Sequence, residues 1–565
     1  MTTGLDHQTE EHEQPLNRVP TPSNTTEGST VELEIRRVEF NVYFDGTWNS
    51  KFNSNWYNDS NWYQSDRYSV DGKIYDHNDS SVEEKFRRMY KADETSFARA
   101  PTGVDQMNRA ARTDDPYIIP LYVDGSGTTT PSDNPYALDN VNDYQGSEAS
   151  MQSDSAFGSG LGRGGTGVYA KLEKMCEQVQ NKLKAVSMAT DIPIHIVMFD
   201  VYGFSRGAAT ARMFVHRVIK EKHGELLNDY KLDLTKHTVM VRFVGLFDTV
   251  SSIGTNHTND VEGDKQGLVF AKGKITSKIV HLVAGHEFRQ KFSVTSIQQA
   301  VARGYGLEVV LPGNHTDIGD GKGTKKKYNE DTKEYEFAGN VDEKTILQHK
   351  SWSFSNMVTT PARAVLGMVG DAIDDQNKMI ADMNKASLET TMQILLNQGW
   401  FVNKPKTEQA AEQREIWIKE DSPYKMLEVS RTLNVGYPKV PTWIMLDLIK
   451  EAGAYRFEDN LLIKYAISTT QDNYLENFYA DMQPQVLARW KANSKDYISG
   501  NIVNNSQHTL PYITVSDPNL QNILFNKYLQ WPSDVTQSIS EQVVSVSLPR
   551  INPKTNQFYR TVISG

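Results

Sequence analysis

The sequence predicts an α/β fold, a mostly parallel β-sheet with helices on both faces. Three observations predict it. Apolar, β-branched runs at residues 38–44, 117–123, 194–201, 238–247 and 307–311 read as buried strands. Helical patterns at 168–187 and 206–222 alternate with them, and strands that alternate with helices pair in parallel through crossovers. The run at 194–201 leads through a Gly-x-Ser-x-Gly turn straight into a helix rich in small residues.

Composition narrows the class of function. A chain of 565 residues suggests two to four domains, and 38% hydrophobic, 10% aromatic and 23% charged residues describe an ordinary globular protein. Lys and Arg total 60 against 71 Asp and Glu, a net charge of −11, so no basic excess exists to neutralise phosphates and nucleic acid is excluded as a partner. The single cysteine, Cys176, can form neither an intrachain disulfide nor a zinc ligand set, and no metal or cofactor is expected. The apolar runs fall short of the roughly 20 residues that span a bilayer. Residues 1–15 carry Asp6, Glu10, Glu11 and Glu13 and lack the apolar core of a Sec signal.

Taken in order, residues 1–31 are polar and without periodicity and read as a flexible tail. Residues 32–330 carry the strand and helix alternation, and 331–565 read as a mainly helical module. The first strand stops at the turn Asp45-Gly46-Thr47. Residues 49–115, dense in Asn, Asp, Ser, Tyr and Trp, read as surface loops. The second strand, at 117–123, is followed by a Gly-rich stretch, 158–167, read as a tight turn that opens the helix at 168–187. Next come the strand at 194–201, the helix at 206–222, the strand at 238–247, a helix expected at 278–292, and the strand at 307–311. Beyond Lys325-Lys326-Lys327, the amphipathic segments 362–383 and 388–396 read first as core-packing stripes and second as membrane-contacting ones.

Chemistry concentrates at Gly203-Phe204-Ser205-Arg206-Gly207. A serine on a sharp strand-to-helix turn is held in strained backbone geometry at the carboxyl edge of the sheet, and flanking glycines avoid clashes with the adjoining strand and helix. A serine hydroxyl is a weak nucleophile at neutral pH, so it needs a histidine base and a carboxylate that fixes the tautomer of that base. In α/β-hydrolases the chain order is serine, acid, histidine. Asp248 fits the acid position because it directly follows the strand at 238–247, whereas Asp260 and Asp264 lie in a polar loop. Of the histidines that follow, His315 stands just beyond the strand at 307–311 in a Gly-bounded loop, while His281 and His286 fall on the expected helix. Backbone donors for a developing oxyanion are the amide of Arg206 and the turn Gly46-Thr47.

At these residues the chain resembles the Tle1 class of type VI secretion phospholipase effectors. The pieces that match are Tyr43-Phe-Asp-Gly-Thr-Trp48, Gly203-Phe-Ser-Arg-Gly-Ala208, Gly245-Leu-Phe-Asp-Thr-Val250, Ala284-Gly-His-Glu-Phe-Arg289 and Pro312-Gly-Asn-His-Thr-Asp-Ile-Gly319, spread over residues 38–321. His286 and Asp320 depart from the family pattern. The resemblance implies an α/β-hydrolase with Ser205, Asp248 and His315 as its triad, which releases acyl chains from bacterial membrane phospholipids with A1 or A2 regiochemistry. It also implies delivery by a VgrG-like spike protein, without a Sec signal, from the cytoplasm into a target cell's periplasm, and a cognate immunity protein that protects the producer. A soluble lipase or esterase, or a non-catalytic interaction protein on a hydrolase fold, is the alternative reading.

Overall fold

The computed structural model describes residues 36–51, 67–70, 73–76, 99–128, 166–189, 193–219, 238–253, 261, 265–270, 273–320, 326–329, 334–337, 339–350, 378–379, 381–403, 415–421, 424–467, 473–503, 511–533 and 548–565. The tail at 1–31, nearly all of the Gly-rich stretch and most of 362–383 lie outside the described residues.

In chain order the first part contains β1 (Arg36–Phe44), α1 (Gly103–Arg109), β2 (Ile118–Val123), α2 (Val168–Met188), β3 (Ile194–Phe204), α3 (Arg206–Ile219), β4 (Thr238–Phe247), β5 (Ile279–Ala284), β6 (Val294–Thr295), α4 (Gln298–Ala302), β7 (Gly306–Leu311) and α5 (His315–Gly319). Six of these strands form one sheet in the order β2-β1-β3-β4-β5-β7, and every pairing in it is parallel. All the carboxyl ends therefore lie along one edge, where the turns after β1, β3, β4 and β7 bring Asp45, Ser205, Asp248 and His315.

The strands are apolar on both sides because both sides are covered. Val38, Phe40, Val42 and Phe44 of β1 and Val197, Phe199 and Val201 of β3 join a core with α2 and α3, to which Leu172, Met175, Val179, Ala208, Ala211, Phe214 and Val215 contribute. The intervening residues Tyr43, Tyr122, Tyr202, Phe204, Phe243 and Phe247 face the other way into a second core.

That second core is closed by the rest of the chain. It contains β8 (Asn340–Lys350), α6 (Leu388–Asn397), β9 (Ile416–Asp421), β10 (Tyr424–Asn434), α7 (Lys439–Glu451), α8 (Asn473–Lys491), β11 (Ile502–Val503), α9 (Pro518–Lys527), β12 (Tyr559–Arg560) and β13 (Val562–Ile563). Here β8, β10 and β9 form a three-stranded antiparallel sheet, so the helices share this region with strands. Helix α7 lies on the six-stranded sheet with Val440, Ile444, Met445 and Leu448 buried in the common core. Leu388 and Leu395 of α6 are buried in the same core, so the apolar stripe of 388–396 packs inward rather than facing out.

Two expectations are corrected. The segment 278–292 is not a helix: Ile279–Ala284 is the fully buried strand β5, hydrogen-bonded between β4 and β7. A six-residue apolar run does not reveal its period, and its β-branched content and short length decide for the strand. The loop region 49–115 contains helix α1, started by the Thr102 side chain, which accepts the Asp105 amide hydrogen.

Candidate active site

The turn after β3 is built to strain one residue. Ser205 has φ 59°, a left-handed conformation that a residue with a side chain seldom takes. Its amide donates to the Phe247 carbonyl at 3.0 Å and its carbonyl accepts the Val250 amide at 3.3 Å, so the turn is pinned to the end of β4 on both sides. The flanking glycines are spatial necessities. A Cβ on Gly207 would lie 2.3 Å from the carbonyl oxygens of Phe44 and Asp45, and one on Gly203 would lie 2.6 Å from the Gly207 carbonyl oxygen.

Asp248 begins the turn after β4, with φ 42°. Its amide donates to the Leu282 carbonyl at 2.8 Å and its Oδ1 accepts the Ala284 amide at 2.9 Å, so β5 fixes the carboxylate from beside it. His315 is the first residue of α5, whose start is fixed by a reciprocal cap: the Asn314 side chain accepts the Asp317 amide, and Asp317 accepts the Asn314 amide. The later part of the chain buttresses this loop, because the Tyr437 hydroxyl donates to the Pro312 carbonyl and the Gln530 amide to Asp317.

The structure brings Ser205, His315 and Asp248 together. His315 Nε2 lies 2.8 Å from Ser205 Oγ, and His315 Nδ1 lies 2.6 Å from Asp248 Oδ2. With Nδ1 protonated toward the carboxylate, Nε2 is left as the acceptor for the serine proton. Phe204 stacks on the imidazole and Phe292 meets it edge-on, with centroids 4.7 and 4.9 Å away.

Electrostatics suits a neutral base beside an ionised acid. Burial pushes the Asp248 pKa up, but Arg560 and the His315 hydrogen bond outweigh burial and hold this carboxyl well below the usual carboxylate range. Burial lowers the His315 pKa, and the bond and charge of Asp248 only partly oppose it. Glu287 accepts the His315 amide at 3.2 Å and is itself clasped by Arg289 at 2.7 and 2.9 Å.

The Asp45-Gly46-Thr47 turn abuts the elbow, with Arg206 Nη1 3.5 Å from Thr47 Oγ1. The Gly46 amide already donates to the Asp45 carboxylate at 2.7 Å. That carboxylate also accepts from Tyr122 at 2.5 Å and Thr102 at 2.8 Å, and burial together with nearby Asp105 raises its pKa to about 7.

Sequence reasoning misses Arg560, whose guanidinium grips Asp248, and leaves Glu287 and Arg289 without a role although both lie in a motif it singles out. His281 is a packing residue: its Nε2 accepts the Thr249 amide and its Nδ1 lies 3.0 Å from Glu308. Among the described residues no group of three or more His, Cys, Asp or Glu side chains is placed to hold a metal ion.

Comparison with known proteins agrees with the motif resemblance over part of the chain. Residues 216–338 match the family model described as T6SS, phospholipase effector Tle1-like, catalytic domain. This span includes Asp248 and His315 and three of the five matching motif pieces. Among solved structures, the chain is similar to the Tle1 effector bound to the VgrG spike from the type 6 secretion system, at 17% identity and a TM-score of 0.45, covering 100% of this chain and 99% of that one. A second similar structure is an uncharacterized protein from Pseudomonas aeruginosa, at 21% identity and a TM-score of 0.27, covering 51% of this chain and 42% of that one. No curated protein matches.

Proposed function

We propose that this chain, with its Tle1-like catalytic segment, is a serine acyl hydrolase that removes fatty acyl chains from membrane phospholipids. One observation carries the chemistry: a strained serine 2.8 Å from a histidine whose other nitrogen lies 2.6 Å from a buried carboxylate. The family resemblance carries the choice of phospholipid.

In this reading His315 Nε2 takes the proton as Ser205 Oγ attacks the ester carbonyl carbon. The resulting imidazolium is stabilised by Asp248, which stays ionised throughout. The tetrahedral oxyanion is met by backbone amides; those of Arg206 and Thr47 are the assigned donors, since the Gly46 amide is engaged by Asp45. His315 then returns its proton to the leaving glyceryl oxygen, which departs as lysophospholipid and leaves an acyl-Ser205. Water, deprotonated by the same histidine, attacks the acyl carbon; the bond from that carbon to Ser205 Oγ breaks as His315 returns the proton to Oγ, and fatty acid leaves. Delivery on a VgrG-like spike into a target periplasm, and neutralisation by an immunity protein, belong to the same proposal and rest on the resemblance alone.

The test is mass spectrometry of products from vesicles of defined mixed-chain diacyl phospholipids, comparing the native chain with Ser205→Ala. Equimolar fatty acid and lysophospholipid from the native chain alone is the expected result, and the chain retained on the lysolipid distinguishes A1 from A2. Hydrolysis confined to monomeric short-chain esters would favour a soluble esterase. Release that persists in Ser205→Ala would overturn the assignment of the nucleophile.

A further inference from the structure

Asp248 has a second partner besides His315, and this one is a cation. Arg560, 312 residues further along the chain, donates from Nη1 to Asp248 Oδ1 at 2.7 Å and from Nη2 to Oδ2 at 2.9 Å. Both side chains are wholly buried. The guanidinium is itself fixed: Nε donates to the Phe292 carbonyl at 2.7 Å and Nη1 also to the Ala284 carbonyl at 3.1 Å. Its strand is woven into the segment that follows β5. Arg550 donates its amide to the Phe288 carbonyl, Gln290 donates its amide to the Leu548 carbonyl, β12 pairs with β11, and β13 pairs in parallel with β6.

Stability alone is a weak reason for this arrangement, because a buried ion pair gains little or nothing over apolar residues of similar volume. Its geometry has a more specific effect. A two-pronged guanidinium fixes both oxygens of a carboxylate in one plane, which a single ammonium does not. With Oδ1 held by Arg560 Nη1 and the Ala284 amide and Oδ2 by Arg560 Nη2, the carboxylate is locked with Oδ2 also facing His315 Nδ1. The same positive charge also weakens the pull of Asp248 on an imidazolium.

We infer that Arg560 is a positioning residue for the proposed triad, orienting Asp248 toward His315 and offsetting part of the negative charge that Asp248 presents to it. The inference rests on the Ser205–His315–Asp248 reading. The other titratable and charged groups around these residues have partners of their own, and Arg289 and Glu287 act on the His315 charge in opposite directions. Glu287 and Arg289 pair with each other beside His315, Asp317 faces the amides of Asn314 and Gln530, and behind Asp248 His281 pairs with Glu308.

The test compares full-length native chain, Arg560→Gln and Arg560→Lys. The ¹⁵N titration of the His315 imidazole is assigned by its loss in His315→Gln, and kcat and KM are measured on a monomeric ester. In Arg560→Gln, loss of the charge bonded to Asp248 raises the His315 pKa by about one unit. Arg560→Lys keeps the charge but loses the fork, and kcat falls about ten-fold or more with KM unchanged, as for partners that orient a reacting group. A native titration curve in Arg560→Gln overturns the inference. Should Arg560→Gln fail to fold, native kcat in Arg560→Lys overturns it. Because the titration needs no turnover, a protein that hydrolyses nothing would sink the hydrolase reading while the histidine signal still decides the role of Arg560.

Discussion

Phe204 lies against the imidazole of His315 with ring centroids 4.7 Å apart and planes 27° from parallel, so the residue before Ser205 is the platform for that imidazole. The ring is gripped from both sides: a Cβ on Gly46 or on Gly319 would come within 2.4 Å of it. The first strand, the elbow and the histidine helix therefore meet on one side chain. Phe204→Ala would leave the imidazole without its lower wall and cost about 3–5 kcal/mol of stability by opening a cavity. It would also lower kcat on the order of 100-fold, since a displacement of about 1 Å in a proton relay is enough for that. Urea unfolding and steady-state kinetics measure the two effects, and a destabilised variant with native kcat would refute the platform role.

Asp248→Asn tests a different coupling. In a serine protease the equivalent change costs about 10⁴ in kcat because the histidine is held in the wrong tautomer. Here it would also leave the Arg560 guanidinium buried without its anion, and breaking a buried pair costs about 3–5 kcal/mol. The double variant Asp248→Asn with Arg560→Gln should recover part of the stability and none of the activity. Thermal denaturation and ester hydrolysis on the four proteins of the cycle separate the two roles. Losses in the two single variants that simply add in the double variant would show that the ion pair contributes nothing to the fold.

The ease of reading each part from sequence follows from where its information lies. The elbow is legible because strand, glycines and small-residue helix are contiguous, Asp248 because it directly follows β4, and His315 because it stands in the short loop just beyond β7. The strand β5 was misread because Ile279–Ala284, buried on both faces, has no alternation to betray it. Arg560 carried no signal. Its role comes from pairing across 312 residues with Asp248, and a lone arginine near two short strands looks like any surface cation until the chain is folded. The same holds for Arg456, whose hydrogen bond to Glu39 of β1 spans 417 residues.

The pH dependence follows from the directions of three shifts. His315, buried and lowered, resists protonation in the folded chain, so kcat/KM should stay flat through the ordinary histidine value near 6.5 and fall only below it. Its contribution to stability is complete above about 6.5 and is lost as pH falls through the folded value, since the unfolded chain takes up the proton first. Asp248, lowered below the ordinary carboxylate range, contributes stability that is complete above about 4 and lost on further acidification. Asp45 works in the opposite direction: with its carboxyl raised to about 7, its contribution is complete below the ordinary carboxylate value and lost as pH rises to about 7. Comparing Tm from pH 4 to 8 in the native chain and in His315→Gln isolates the histidine. The native protein should lose Tm more steeply between about pH 6.5 and 5, and parallel curves would contradict the lowered value.

The boundary near residue 330 marks a change in sequence character, and the packing runs across it. Tyr43, Tyr202, Phe204, Phe247, Phe288 and Ile318 share one core with Trp400, Tyr437, Ile444, Phe525, Trp531 and Phe558. Phe288 stacks on Phe558 at 5.6 Å and His286 meets Trp400 at 5.2 Å. On the same side, Arg242 of β4 bonds to Glu39 and Asp200, and Arg456 reaches the same Glu39 from beyond α7. Each large apolar side chain uncovered by removing the later half costs about 1.5–3 kcal/mol, so losing cover for six exceeds much of the 5–15 kcal/mol of net stability typical of a folded chain. Deletion also leaves Asp248 and Glu39 buried without Arg560 and Arg456. A fragment of residues 32–330 should therefore show no cooperative thermal transition and no labelling of Ser205 by a fluorophosphonate, whereas the full chain shows both. A fragment that melts cooperatively and labels at the native rate would establish that the catalytic sheet folds and works without the rest.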